Sequence, residues 1–248
     1  MNKILLVFTV ILMAVSGKAQ RTADIGLWGG TSGYIGDISE SNYFSKFNPN
    51  FGVYYRYNFN ARVGLRAQLL MGGFSSEGMI EGAQTSFSKS VEDLSLQVEI
   101  NYLKYIVGVK NMPFTSYVLA GVGIAYFPYE MDPAFIATFN PIHNKGNVTI
   151  NESVVTPTIP FGIGFKFSIG QRLGIGAEYQ MRKMLSDKLD NLDDPLAYVT
   201  FDSGGAILSE TKYTDAIHNN DWSGYLGLHI TYKIYTGKKA CAAYESKN

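Results

Sequence analysis

The chain has 248 residues, with 21 basic and 21 acidic side chains and a formal charge of zero. That balance excludes the basic footprint of a nucleic-acid binder, and a single cysteine, Cys241, excludes an internal disulfide. Only 17% of residues are charged, while 14% are aromatic and 26 are glycine. An ordinary soluble domain carries more charge, and this balance points to strands with little water-facing surface.

Met1 to Ala19 has the three parts of a secretory signal. Lys3 gives the charged start, Ile4 to Val15 a short apolar run, and Gly17-Lys18-Ala19 a small-residue cleavage site. The run is too short for a spanning helix, which needs about 20 apolar residues. Cleavage is expected before Gln20, and no cysteine follows to take a lipid anchor. Loss of Lys3 and Lys18 brings the expected mature chain to a charge of −2. The expected organisation is a signal at 1–19, one β-domain at 20–236 and a tail at 237–248.

After the signal, apolar and small or polar residues alternate. The first such stretch, at 23–35, is broken by glycines. Phe51, Val53, Tyr55 and Tyr57 alternate with Gly52, Tyr54, Arg56 and Asn58, and Val63 to Met71 with Gly64, Arg66 and Gln68. Leu94, Leu96, Val98 and Ile100 alternate with Ser95, Gln97 and Glu99, and Val118 to Tyr126 with Tyr117, Leu119, Gly121 and Gly123. Phe161 to Phe167 alternate with Gly162, Gly164 and Lys166, and Leu173 to Met181 with Gly174, Gly176, Glu178 and Gln180. Leu226 to Ile234 alternate with Gly227, His229, Thr231 and Lys233. Period two means strands with chemically different faces.

Eight strands are therefore predicted, at 23–35, 51–58, 63–74, 93–103, 115–127, 157–169, 173–184 and 221–235. At about 8–15 residues each they bracket the 9–11 that a tilted strand needs to cross a bilayer. Short joins at Phe59-Asn60-Ala61 and Gly170-Gln171-Arg172, with a moderate one ending at Pro113, alternate with long ones: Gly36–Asn50, Ser75–Glu92, Pro128–Thr156 and Leu185–Asn220. Long loops of this kind argue against a compact soluble domain. A soluble sandwich also alternates, but its water-facing side is seldom so glycine-rich. The expected fold is all-β: an eight-stranded antiparallel transmembrane β-barrel with short periplasmic turns and long extracellular loops. Lipid meets the apolar face, and both termini lie in the periplasm because the strand number is even. Aromatics at the strand ends, Tyr57, Phe59, Tyr102, Tyr126, Phe127, Trp222, Tyr232 and Tyr235, are expected in interfacial girdles.

The inner face carries Arg56, Arg66, Glu99, Lys166, Glu178, Arg182 and Lys233. A barrel of eight strands is only wide enough to be filled by side chains, so these are expected to pair as a plug and not to line a pore. The runs Gly121–Tyr126, Gly162–Phe167 and Gly174–Tyr179 lack the strand–turn–helix setting of a phosphate cradle. His143 and His218 fall in predicted loops and His229 in the lumen. His218 with Asp215 or Asp221 offers two parts of a hydrolase triad, with no serine placed beside them. The acidic loop Leu185–Asn220, with Asp187, Asp190, Asp193, Asp194, Asp202, Glu210 and Asp215, offers oxygens for a cation site, against the usual reading of such a run as a solvated loop. No cofactor signature or metal-ligand spacing is present. The glycosylation patterns at Asn147 and Asn151 carry no function here.

Several stretches, in order, resemble the PorG-like barrels of the type IX secretion system. They are "WGGTSGYIGDI" (28–38), "FGVYYRYNFNARVGLRAQLLMG" (51–72), "LSLQVEINYL" (94–103), "PFTSYVLAGVGIAYF" (113–127), "SDKLDNL" (186–192) and "NNDWSGYLGLHITYKI" (219–234). The connection "KYIVGVKNM" departs from that pattern by its length. The resemblance implies a non-enzymatic outer-membrane barrel that contacts a periplasmic lipoprotein and ring protein. Its expected contacts are the turns and tail: Asn60, Arg62, Lys104, Lys110, Arg172, Lys238 and Lys239. A stand-alone surface barrel with ligand-binding loops is the alternative, and a lipid-modifying enzyme a third reading.

Overall fold

In the computed structural model, the described residues are 22–35, 46–80, 83–108, 113–131, 150–186, 188–189, 197–201, 207–212 and 221–235. They form ten strands: β1 (Thr22–Ile35), β2 (Asn48–Asn58), β3 (Val63–Ile80), β4 (Ala83–Asn101), β5 (Phe114–Met131), β6 (Ile150–Ile169), β7 (Leu173–Met184), β8 (Ala197–Phe201), β9 (Ile207–Lys212) and β10 (Trp222–Tyr235). Eight of them close a barrel in the order β1-β10-β7-β6-β5-β4-β3-β2, and β8 pairs only with β9. Every barrel pairing is antiparallel, and β1 closes the ring by pairing with both β2 and β10. Closure leaves the spanning strands without an edge, as a backbone in hydrocarbon requires.

The chain starts and ends the barrel at one rim, where Thr22 faces Tyr235. The tight turns lie at this rim. In the β2–β3 turn the Asn60 carboxamide oxygen accepts from the backbone N–H groups of Arg62 (2.7 Å) and Val63 (2.9 Å). Asparagine suits such a turn because its short side chain replaces a missing backbone partner.

Alternation sorts the side chains into two media. Leu94, Leu96, Val98 and Ile100 of β4 point outward, as do Phe161, Ile163, Phe165 and Phe167 of β6. Leu228 of β10 is 68% exposed, while its neighbour His229 is 2% exposed. A continuous apolar outer face of this extent belongs in lipid, because water would penalise it. Inside, the largest fully buried side chains include Arg56, Arg66 and Arg182. The structure is a closed eight-stranded antiparallel β-barrel, polar within and apolar without.

Four expectations change. The segment Ser75–Glu92 is no long loop. β3 and β4 stay paired up to Ile80↔Ala83, giving strands of 18 and 19 residues. β5 and β6 likewise remain paired to Met131↔Ile150. Above the lipid belt one face no longer needs to be apolar, so the period-two signal fades while backbone pairing continues. The stretch Leu185–Asn220 contains a hairpin, β8–β9. Finally, Phe127 is fully buried inside the barrel and is not a girdle residue. Its neighbour Tyr126 takes the outward position, 46% exposed.

The signal segment 1–19, the tail 237–248, Tyr235's side chain and Cys241 lie outside the described residues.

Candidate functional site

The interior is stacked in layers from the turn rim to the loop rim. Alternation dictates this, since each strand sends every second side chain inward.

The lowest layer is charged. Arg56 donates from Nε (2.9 Å) and Nη2 (2.8 Å) to Asp24 Oδ2, and from Nη1 to both oxygens of Glu99 at 3.1 Å. Asn58 also donates to Asp24 Oδ2, at 2.8 Å. Lys166 donates to Glu99 from the facing wall. One guanidinium thus bridges two carboxylates, and the second carboxylate takes an ammonium as well. Lys233, 7% exposed, sits in register with Asp24.

The next layer crosses the barrel. Arg66 Nη1 and Nη2 meet Glu178 at 2.5 and 3.0 Å, in the paired geometry that suits a guanidinium. Tyr117 donates to the same carboxylate at 2.5 Å, and Gln180 also donates to it. His229 lies between two tyrosines, with Nε2 3.1 Å from the Tyr117 hydroxyl and Nδ1 3.1 Å from that of Tyr54. The Arg66 guanidinium covers the Tyr54 ring at 4.2 Å.

A glutamine layer follows. Gln97 donates to Gln68 (3.2 Å) and Gln180 (3.3 Å), and Gln180 donates to Gln68 (2.9 Å). Above it, Arg182 Nε stands 2.9 Å from Asp93 and its guanidinium 4.5 Å over Tyr225. Thr158 donates to the other Asp93 oxygen at 3.1 Å.

Bulky rings fit beside these chains because small residues face them. A Cβ at Gly164 would lie 2.4 Å from Cζ of Tyr117, and one at Gly26 would lie 2.0 Å from Cζ of Tyr54. Of the glycines in "GIGFKF", Gly164 therefore makes room for the Tyr117 ring and Gly162 for the Tyr179 carbonyl and Gln180, which explains them without a phosphate.

Both ends are closed. At the loop rim Leu70, Phe74, Val91, Phe127, Met184 and Leu189 form a buried apolar cluster. Asp221 ties it down, accepting from the Tyr34 hydroxyl (2.8 Å) and the Leu189 N–H (2.9 Å). At the turn rim the residues after β4 fold back under the lumen, burying Tyr105 and Val107. Tyr105 N–H donates to Ala61 O (2.8 Å), Ser168 Oγ donates to the Tyr105 hydroxyl (3.0 Å), and Gly108 N–H donates to Ser168 Oγ (3.2 Å). Burial pushes the Tyr105 hydroxyl pKa up, keeping it protonated. Gly108 has φ of 85°, and a Cβ there would lie 1.9 Å from Gln171 O, so only glycine fits.

Of the inner-face residues expected from sequence, the fold joins Arg56, Arg66, Glu99, Lys166 and Glu178 into one network. Arg182 pairs with Asp93 and is linked to that network through Ser95, Gln97 and Gln180, and Lys233 lies beside the lowest layer. Asp24, Asp93, Gln68 and Tyr105 complete the interior. The first three share the inward phase of their strands, which is a usable signal. Tyr105 has none, since it lies in a connection with no alternation.

Among the turn-rim residues, Arg62 Nη1 donates to Tyr102 O (2.7 Å), Arg172 Nη1 donates to the Tyr232 hydroxyl (3.1 Å), and Lys104 is exposed. With Asn60 they occupy one end of the barrel. Lys110, Lys238 and Lys239 lie outside the described residues, as do His143, His218, Asp215, Asp187, Asp190, Asp193, Asp194, Asp202 and Asn147. Asp221, the alternative acid of a triad, is held by Tyr34 and Leu189. Among the described residues no three His, Cys, Asp or Glu side chains come together as a metal site.

A family model described as a domain of unknown function matches residues 2–245. No functionally curated protein matches the chain. Several solved barrels follow a similar chain path. The attachment invasion locus protein Ail of Yersinia pestis, in complex with the heparin analogue sucrose octasulfate, is 14% identical with a TM-score of 0.46. The match covers 87% of this chain and 99% of Ail. A major outer membrane protein of Thermus thermophilus is 14% identical at 0.47, over 86% of this chain and 99% of the other. Neisserial surface protein A is 9% identical at 0.43, over 88% and 100%.

Proposed function

Because the chain belongs to the DUF6089 family, which brings no activity with it, its own residues must supply the reading, and we propose that it is a non-enzymatic outer-membrane anchor in a protein secretion machine of the type IX kind. The supporting observation is the lumen. It is packed with paired charges and closed at the turn rim by Tyr105 and Val107 and at the loop rim by the Phe74–Leu189 cluster. A filled barrel with a lipid-facing belt holds position and does not conduct. The ordered resemblance of residues 28–234 to PorG-like barrels supports the more specific role.

In this reading the turn rim is periplasmic. Asn60, Arg62, Lys104 and Arg172 face a lipoprotein and ring partner there, joined by Lys110, Lys238 and Lys239.

A pull-down of the tagged barrel from gently solubilised outer membrane tests it. The expected result is a periplasmic lipoprotein and ring protein in stoichiometric amounts, lost when Arg62, Lys104 and Arg172 are replaced by glutamate. A barrel that comes out alone, under conditions that keep the ring intact, removes the secretion role. The second reading is a stand-alone barrel that binds ligands outside. It draws support from the β3–β4 and β5–β6 hairpins, which continue beyond Glu92↔Tyr126, the last β4–β5 pair.

A further inference from the structure

Outside the lumen, a recess opens in the apolar belt. It measures about 380 Å³ and is walled by Val118 of β5, Phe161 and Ile163 of β6, and Tyr179 and Met181 of β7, with Gly162 between them. It lies next to an interruption in pairing, and its own walls are regularly paired. The β5–β6 register passes from Ala120↔Phe161 directly to Gly123↔Thr158. The skipped stretch contains Pro160, which has no N–H to give to a neighbouring strand. Ala120, beside Val118 on the outer face, adds no bulk to refill the gap.

A cation stands at the loop-side end of this recess. Lys183 is two residues beyond Met181 on the same face and one residue before the end of β7. Its ammonium lies 4.7 Å from the centre of the Trp222 ring. Trp222 in turn meets Phe161, a wall of the recess, edge-on at 5.9 Å. Recess, ring and ammonium are thus contiguous over Phe161. Tryptophan and lysine belong where hydrocarbon gives way to headgroups. An apolar slot inside the belt, ending at a cation held on an aromatic ring, is complementary to one kind of molecule: an amphiphile with its anionic group directly above its tails.

We propose that this recess is a lipid site, in which one acyl chain of a phosphate-bearing lipid lies between Phe161, Met181 and Val118 while Lys183 binds the phosphate. The site rests on the reading of this barrel as membrane-inserted and adds a specific ligand to it. About 380 Å³ is near the lower bound of small-molecule sites, roughly 300 Å³, which suits part of one chain and not a whole lipid. The ammonium supplies a charge-assisted bond that an uncharged headgroup does not take up.

Native mass spectrometry of the full mature chain, released from detergent, tests this. The probes are phosphatidylglycerol, a diacylglycerol with the same chains, and inorganic phosphate. The variants are Lys183→Gln, Val118→Trp, which fills the recess from a position that faces lipid, and Leu94→Trp elsewhere on the belt as control. Heat-modifiable gel migration and insertion into phosphatidylcholine vesicles are followed for each.

One retained phosphatidylglycerol per wild-type barrel is expected. Its retention should fall about tenfold in Lys183→Gln, as for loss of one charge-assisted contact. Val118→Trp should abolish it, and Leu94→Trp should leave it intact. The diacylglycerol should bind weakly and be indifferent to Lys183, and inorganic phosphate should not displace the lipid. Equal retention in wild type, Lys183→Gln and Val118→Trp, all inserted, overturns the site and leaves the membrane barrel standing. Displacement by phosphate alone removes the acyl recess from it. A wild-type chain that fails to insert overturns the membrane reading and this site together.

Discussion

Arg66 and Glu178 are 112 positions apart in the chain and meet across the lumen through two hydrogen bonds, at 2.5 and 3.0 Å. Both side chains are fully buried. The pair ties β3 to β7, strands that share no ladder, so it fixes the cross-section of the barrel from inside. Neither charge has water to fall back on, and each depends on the other.

Removing one partner should therefore cost far more than removing both. Arg66→Met leaves Glu178 buried with its charge uncompensated, and a loss of about 3–5 kcal/mol is expected. The double variant Arg66→Met/Glu178→Leu should recover most of that loss. Urea unfolding in lipid vesicles, followed by Trp fluorescence, measures both. A double variant as unstable as the single one contradicts this account of the pair.

The lumen should not pass ions. Wild-type barrel in a planar bilayer is expected to show no unitary conductance. Even Arg56→Ala/Arg66→Ala/Tyr105→Ser should stay closed, because the glutamine layer, the Arg182–Asp93 pair and the loop-rim cluster each still block the channel. Regular conductance steps from the wild type are the result that ends this view.

Gly164 should not accept a methyl group. A Cβ there would lie 2.4 Å from the Tyr117 ring, and displacing that ring disturbs its bonds to Glu178 and His229. Gly164→Ala should cost about 1–3 kcal/mol. At Gly73 a Cβ meets nothing within 4 Å, so Gly73→Ala should stay within about 0.5 kcal/mol of wild type. Equal urea midpoints for the two variants argue against steric exclusion.

Asp221 should secure the loop-side closure without securing the barrel. Asp221→Ala leaves the Tyr34 hydroxyl and the Leu189 N–H without their acceptor. Hydrogen exchange should accelerate around Leu189, by a local opening cost of about 1–3 kcal/mol. Exchange in the paired strands should not change, and if it rises equally throughout, the closure is not a separate unit.

What the sequence determined by itself was the sorting of side chains between two media. Alternation assigned Leu228 outward and His229 inward, and it placed Arg56, Arg66, Glu99, Lys166 and Glu178 on one face. That information is local, because a strand turns each successive side chain over by geometry alone. The tertiary structure alone decided which inward residues meet. Arg66 finds Glu178, while Arg182 turns to Asp93, because ring closure and register set who stands opposite whom. It also decided where the lumen ends. Tyr105 closes the turn rim from a connection with no period. Phe127 closes the loop rim on a strand that outruns the lipid belt. Above that belt water replaces hydrocarbon, alternation is no longer required, and the backbone ladder alone carries β3 and β4 upward.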